Sequence, residues 1–128
     1  MGGRASRQDA TALGRMAAGF LGRSDGPRLA MIETSGWDTH SGQTARLATQ
    51  LKNLDNLLAG LQAGLGAAWE KTVILVATEF GRTVAANGTG GTDHGTGAVA
   101  MLVGGAVDGG RIVADWPGIS NANLLDGR

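Results

Sequence analysis

The chain contains no cysteine, which excludes disulfides, thiolate zinc sites and thiol nucleophiles together and leaves the redox compartment open. Net charge is also lacking: 11 basic residues balance 11 acidic ones. No long-range field therefore draws the protein to nucleic acid or to an anionic membrane. No apolar stretch approaches the ~20 residues that span a bilayer. The basic start, Met1 to Arg7, runs into no uninterrupted hydrophobic segment of the kind a signal peptide requires. Aromatic residues are scarce, at 4%. Four chemical signatures are missing too: a Gly-x-Gly-x-x-Gly after a strand, a Walker loop, a Gly-x-Ser-x-Gly elbow and a His-Glu-x-x-His helix.

With 128 residues the chain is long enough for one domain and one core, not two. What it has in excess is glycine: 23 residues, more than half of them after position 80, against a usual ~7%. No three-residue period accompanies them, so they point to irregular, loop-rich backbone.

Helical spacing of Ala12, Leu13, Met16, Ala17 and Phe20 predicts a helix capped by Asp9 and ending near Leu21 and Gly22. A turn at Ser24–Pro27 precedes a short apolar run, Arg28 to Ile32, read as a buried strand. Leu47, Leu51, Leu54, Leu58, Leu61 and Leu65 then form one stripe of a long amphipathic helix, with Ser41 as its cap and Gly64 or Gly66 at its end. Thr72 to Thr78 is a β-branched run of the type buried in a central parallel strand. Residues 84–97 read as glycine-rich loop, Ala98 to Val103 as a further strand and Arg111 to Val113 as a short edge strand. From Trp116-Pro117-Gly118 onward, loosely held backbone is expected. This order predicts an α/β fold with a mostly parallel sheet.

Three clusters carry the chemistry: Gly36-Trp37-Asp38-Thr39-His40, Thr78-Glu79-Phe80-Gly81-Arg82-Thr83 and Gly91-Thr92-Asp93-His94-Gly95. Both histidines of the protein lie in them, each near an aspartate. Asp38 and His40 are two residues apart, so in extended backbone both face one side and could reach one ion. The plainer alternative makes Asp38 a helix or loop cap and His40 surface decoration. Glu79 ends an apolar strand, where a carboxylate needs a partner. Arg82 could be that partner in a loop-anchoring ion pair, or Glu79 could ligate metal while Arg82 binds an oxyanion in bidentate fashion. Asp93 and His94 are adjacent and would point apart in extended backbone. That leaves His94 as a ligand and Asp93 as either a second ligand or a group orienting an imidazole. Carboxylate oxygen with imidazole nitrogen suits zinc, manganese or iron better than calcium.

In this order, the clusters, the leucine helix, and the later Gly-Gly-Arg-Ile-Val-Ala-Asp-Trp-Pro-Gly resemble the C-terminal part of the domain of unknown function 1501 proteins, from about Ala12 to Pro117. These are bacterial proteins, many exported by the twin-arginine route, placed in the alkaline phosphatase and sulfatase superfamily. The resemblance implies a Rossmann-like αβα sandwich of alkaline-phosphatase type, present here as a partial, single C-terminal portion covering 1–128. It implies a divalent metal (zinc, manganese or calcium) held by Asp38, His40 and His94, with Glu79 and Asp93 completing the set and Arg82 contacting the oxyanion. Phe80 stands where the superfamily pattern has a histidine, and the nucleophile would lie in a region before this chain. It also implies export or a periplasmic location.

Three functions follow as expectations. The first is the metal-binding portion of a phosphatase- or sulfatase-like hydrolase, taking an anionic ester and inactive as this chain alone. The second is a non-catalytic binding or assembly module that keeps the fold and self-associates, as a homo-oligomer or with the remainder of a parent domain. The third reads the clusters as loop-stabilising hydrogen-bond networks only.

Overall fold

The computed structural model describes residues 7–127; Met1–Ser6, the basic start read above, lie outside the described residues. Two helices come first, α1 (Arg7–Leu21) and α2 (Gln43–Leu65), followed by a six-residue 3-10 helix, Gly66–Lys71. Four short strands complete the ordered frame: β1 (Ile74–Val76), β2 (Gly81–Ala86), β3 (Thr92–Gly95) and β4 (Met101–Val103). Single 3-10 turns at Asn121–Asn123 and Leu125–Gly127 lie near the C-terminus.

Helix α1 starts two residues before Asp9, which places that residue in the first turn. It ends as expected, with the Gly22 amide donating to the Ala18 carbonyl at 2.8 Å. Helix α2 is not capped by Ser41. Its cap position is Gly42, at φ 55° with no side-chain bond. Tertiary contacts replace the cap: the Gly42 amide donates to the Thr89 carbonyl at 3.2 Å, and the Gln43 amide to the Gly90 carbonyl at 2.9 Å. The unsatisfied amides that every helix start exposes thus dock α2 onto the β2–β3 turn.

The core lies between the two helices. Ala18, Leu57, Leu61 and Leu65 are buried, with Leu13, Ala17, Leu54, Ile32, Trp69 and Ile74 packed around them. The buried face of α2 is rotated from the predicted leucine stripe. Leu57, outside the stripe, is 6% exposed, whereas Leu51, inside it, is 49% exposed. Small residues at the helix crossing explain the rotation. A Cβ on Gly14 would lie 2.3 Å from the Leu57 carbonyl oxygen, one on Gly60 2.3 Å from the Thr11 carbonyl oxygen, and one on Gly64 2.6 Å from the Ala18 Cβ. The helices approach backbone to backbone where these side chains are missing, and that contact draws the Leu57–Gly60–Leu61 side inward.

The sheet corrects the expected fold class. Among the described residues there is no mostly parallel, Rossmann-like sheet; there are two separate antiparallel pairs, β1 with β4 and β2 with β3. In the first, Ile74, Leu75 and Val76 stand opposite Val103, Leu102 and Met101. The reason is topological. Parallel neighbours need a crossover, usually a helix, but the chain between β1 and β4 contains only the β2–β3 hairpin and reverses direction. The segment read as a buried strand, Arg28 to Ile32, forms no strand. Leu29 and Met31 are 88% and 94% exposed, and only Ile32 reaches the core. Arg111 to Val113 likewise forms no strand. Conversely, the predicted loop 84–97 contains most of the β2–β3 hairpin, with Gly81 opposite Gly95 and Arg82 opposite His94. No described helix is long and apolar enough to cross a membrane.

The helix crossing gives a sharp test. Alanine is favoured over glycine in a helix by about 1 kcal/mol, and Gly19 on α1 has no atom within 4 Å of a built Cβ. Gly19→Ala should therefore raise the denaturation midpoint. Gly60→Ala should lower it, costing about 1–3 kcal/mol through forced helix separation. Equal gains at both positions would contradict the crossing.

Candidate metal centre

Three chain segments meet at the end of the hairpin: the loop before α2, strand β2 and strand β3. Thr39 anchors the first. It is 3% exposed, and its hydroxyl donates to Gln43 Oε1 at 2.9 Å, which also accepts the Thr92 hydroxyl at 2.7 Å. One glutamine oxygen at the start of α2 thereby ties the loop to β3. Gly91 permits the closest approach, since a Cβ there would fall 2.3 Å from the His40 carbonyl carbon and oxygen.

Asp38 is where the segments converge. Its Oδ1 lies 3.0 Å from His40 Nε2 and 2.9 Å from His94 Nε2, and it also accepts an Arg82 guanidinium N–H. Asp38, His40 and His94 are the group of three metal-compatible ligands found among the described residues, with all donor atoms within 4.8 Å of one another. Adjacent ligands on tetrahedral zinc, at bond lengths near 2.1 Å, stand about 3.4 Å apart. The two Asp38–imidazole distances are already near that spacing. The side chains of all three are 47–57% exposed.

The supporting contacts assign the remaining residues. His40 presents its other nitrogen, Nδ1, to Asp93 Oδ1 at 3.2 Å. Asp93 thus faces the imidazole of His40 rather than that of its chain neighbour His94. Arg82 donates from Nη1 to the Thr92 carbonyl at 2.7 Å and from Nη2 to the Trp37 carbonyl at 3.3 Å. Its ion pair is made with Asp38, not with Glu79. Glu79 is exposed and is not one of the three clustered ligands. Phe80 forms the wall of the site: its ring stacks on His94 at 5.1 Å and lies under the Arg82 guanidinium at 5.0 Å. The two histidine rings stack at 5.0 Å. Beside His94 opens a cleft of about 320 Å³ lined by Thr83, Gly95, Thr96, Leu125 and Asp126.

Asp38 is held below its ordinary pKa of 3.8, chiefly by the His94 hydrogen bond; desolvation, the next largest effect, opposes this, and Arg82 and the His40 charge add to the lowering. A lowered carboxyl pKa stabilises the fold above the unfolded value, and that contribution is lost as pH falls through the folded one.

Asn87 belongs to this network and was not singled out from sequence. Its signal was present: Asn87-Gly88 is the dipeptide favoured in tight hairpin turns. Gln43 and Thr39 carried no comparable local signal, because their partners are distant in sequence.

A family model described as "Protein of unknown function (DUF1501)" matches residues 1–126. The match is to that family and does not extend to a superfamily. No curated protein and no solved structure matches the chain.

Removing His94 removes the largest cause of the Asp38 shift. In metal-free protein followed by carboxyl-carbon NMR, Asp38 should titrate below pH 3.8 in the native chain and move upward in His94→Ala. An unmoved Asp38 titration would contradict the convergence on its oxygen.

Proposed function

We propose that this chain, which belongs to the DUF1501 family, holds one divalent transition-metal ion with Asp38, His40 and His94 and, together with Arg82, receives an anionic ester there. One observation carries the reading: three nitrogen atoms crowd a single carboxylate oxygen, Asp38 Oδ1. Two of the three are imidazole Nε2 atoms, each of which carries a lone pair when its ring is neutral and its proton sits on Nδ1. With both Nε2 atoms deprotonated, the same carboxylate and imidazoles become a donor set for one cation. Stability does not explain the crowding, because exposed ion pairs contribute only about 0–1 kcal/mol.

Three protein ligands leave a coordination position open, the arrangement of catalytic rather than structural zinc sites. An ion held there would supply Lewis acidity toward a phosphoryl or sulfuryl oxygen. The chain's own residues would do the rest. Asp93 would hold the His40 ring with Nε2 turned inward. Phe80 would fix the plane of His94 and support the guanidinium of Arg82. Arg82, freed from Asp38, would offer a planar fork to an oxyanion. Zinc and manganese fit this mixed nitrogen–oxygen set better than calcium.

A second reading, a non-catalytic binding or assembly module, is favoured by surface. The accessible area is 9463 Å², whereas a compact monomer of this mass exposes about 6,300 Å². Leu75, Val99, Leu102, Ile112 and Val113 are among the exposed apolar side chains. The two readings share the metal site and differ in whether chemistry takes place at it.

Calorimetric titration of metal-stripped protein with zinc or manganese should show a single site that Asp38→Ala abolishes. Arg82→Lys, which keeps a cationic donor but lacks the planar fork, should keep the metal and weaken phosphate or sulfate binding. Undiminished metal binding in Asp38→Ala would overturn the centre. Turnover of phosphate or sulfate esters, lost with Asp38, would select the hydrolase; self-association in light scattering without turnover would select the module.

A further inference from the structure

Behind His40 lies a second layer of contacts with one residue at its middle. The Asn87 side-chain amide donates to the His40 carbonyl at 2.9 Å and to Asp93 Oδ1 at 3.0 Å. Its oxygen accepts the Thr89 amide at 3.0 Å, the Thr89 hydroxyl at 2.9 Å and the Gly91 amide at 3.0 Å. The Thr89 hydroxyl also lies 2.6 Å from the His40 carbonyl oxygen.

The two ends of this one side chain do different work. The oxygen folds the turn between β2 and β3, a local task that any acceptor of the same shape could perform. The nitrogen reaches out of the turn and grips His40 at both of its fixed points: the backbone carbonyl directly, and ring Nδ1 through the Asp93 carboxylate. We propose that Asn87 is a positioning residue for His40, coupling the hairpin turn to the orientation of that imidazole. The inference deepens the metal-centre reading and rests on it. Ligating histidines are commonly held through their second nitrogen, and loss of such support typically weakens metal binding 10–100-fold. Here the supporting carboxylate is itself supported, because the Asn87 amide donates to the same Asp93 oxygen that faces Nδ1.

Asn87→Asp separates the two roles, since it keeps the acceptor that shapes the turn and removes the donor that grips His40. It also sets a second carboxylate against Asp93. In zinc titrations, Asn87→Asp should bind roughly 10- to 100-fold more weakly than the native protein, with the thermal midpoint little changed. Zinc binding as tight as native would overturn the proposal. A metal-free arm keeps the positioning claim apart from the metal claim. Cross-relaxation between the ring protons of His40 and His94, whose centroids are 5.0 Å apart, should weaken in Asn87→Asp. An unchanged ring contact would overturn the positioning role. If native protein binds no zinc, the metal reading falls and this second arm still decides the role of Asn87. Should Asn87→Asp fail to fold, Asn87→Ser keeps a hydroxyl oxygen able to shape the turn and removes the amide that reaches His40 and Asp93. It should weaken zinc binding and the ring contact in the same direction, and native values of both would count against the proposal.

Discussion

The contact between the β2–β3 turn and the backbone of Thr39 and His40 sets the geometry of everything else at this end of the molecule. Gly91 makes it possible by having no side chain where the His40 carbonyl lies. From that contact follow the docking of α2 through the Thr89 and Gly90 carbonyls, the shared Gln43 oxygen between Thr39 and Thr92, and the approach of His40 to both aspartates. A side chain at Gly91 would push apart a helix start, a loop and a hairpin together.

Stability and chemistry occupy different parts of the chain. The helix pair supplies the buried apolar contacts, centred on Ala18, Leu57, Leu61 and Leu65, and its close approach depends on glycines. The site is exposed, so its ion pairs are screened and contribute little to folding. In the proposed function they give way to a cation. Arg82 links the two functions of the hairpin. It is the least exposed member of the cluster, with 18% of its side chain accessible. Its bonds to Trp37 and Thr92 hold the segments together whichever group Asp38 faces.

The parts legible in the sequence were those governed by short-range pattern. The α1 periodicity, the leucine helix and the ordered clusters that resemble the family all describe neighbours along the chain. Asp38 and His40 were readable as a pair because two residues separate them, and His94 because few other imidazoles compete. The sheet was not legible. An apolar run such as Arg28 to Ile32 looks the same whether it pairs or not, and strand direction depends on what connects the strands. The partner of Arg82 was misplaced for the same reason. Glu79 is three residues away and Asp38 far along the chain, yet the hairpin brings the distant one close. Asn-Gly marks a turn, but the reach of the Asn87 amide to His40 and Asp93 depends on a contact distant in sequence. The helix rotation was hidden too, since Gly60 and Gly64 count as weak points in a propensity reading and become contact points in a packed one.

In the proposed centre both imidazoles and the Asp38 carboxylate act on the same cation. Nitrogen-15 NMR of the histidine rings during addition of zinc tests this directly. The account predicts that the Nε2 resonances of His40 and His94 shift together and cease to change at a single equivalent. Movement of one ring without the other, or of neither, would contradict it.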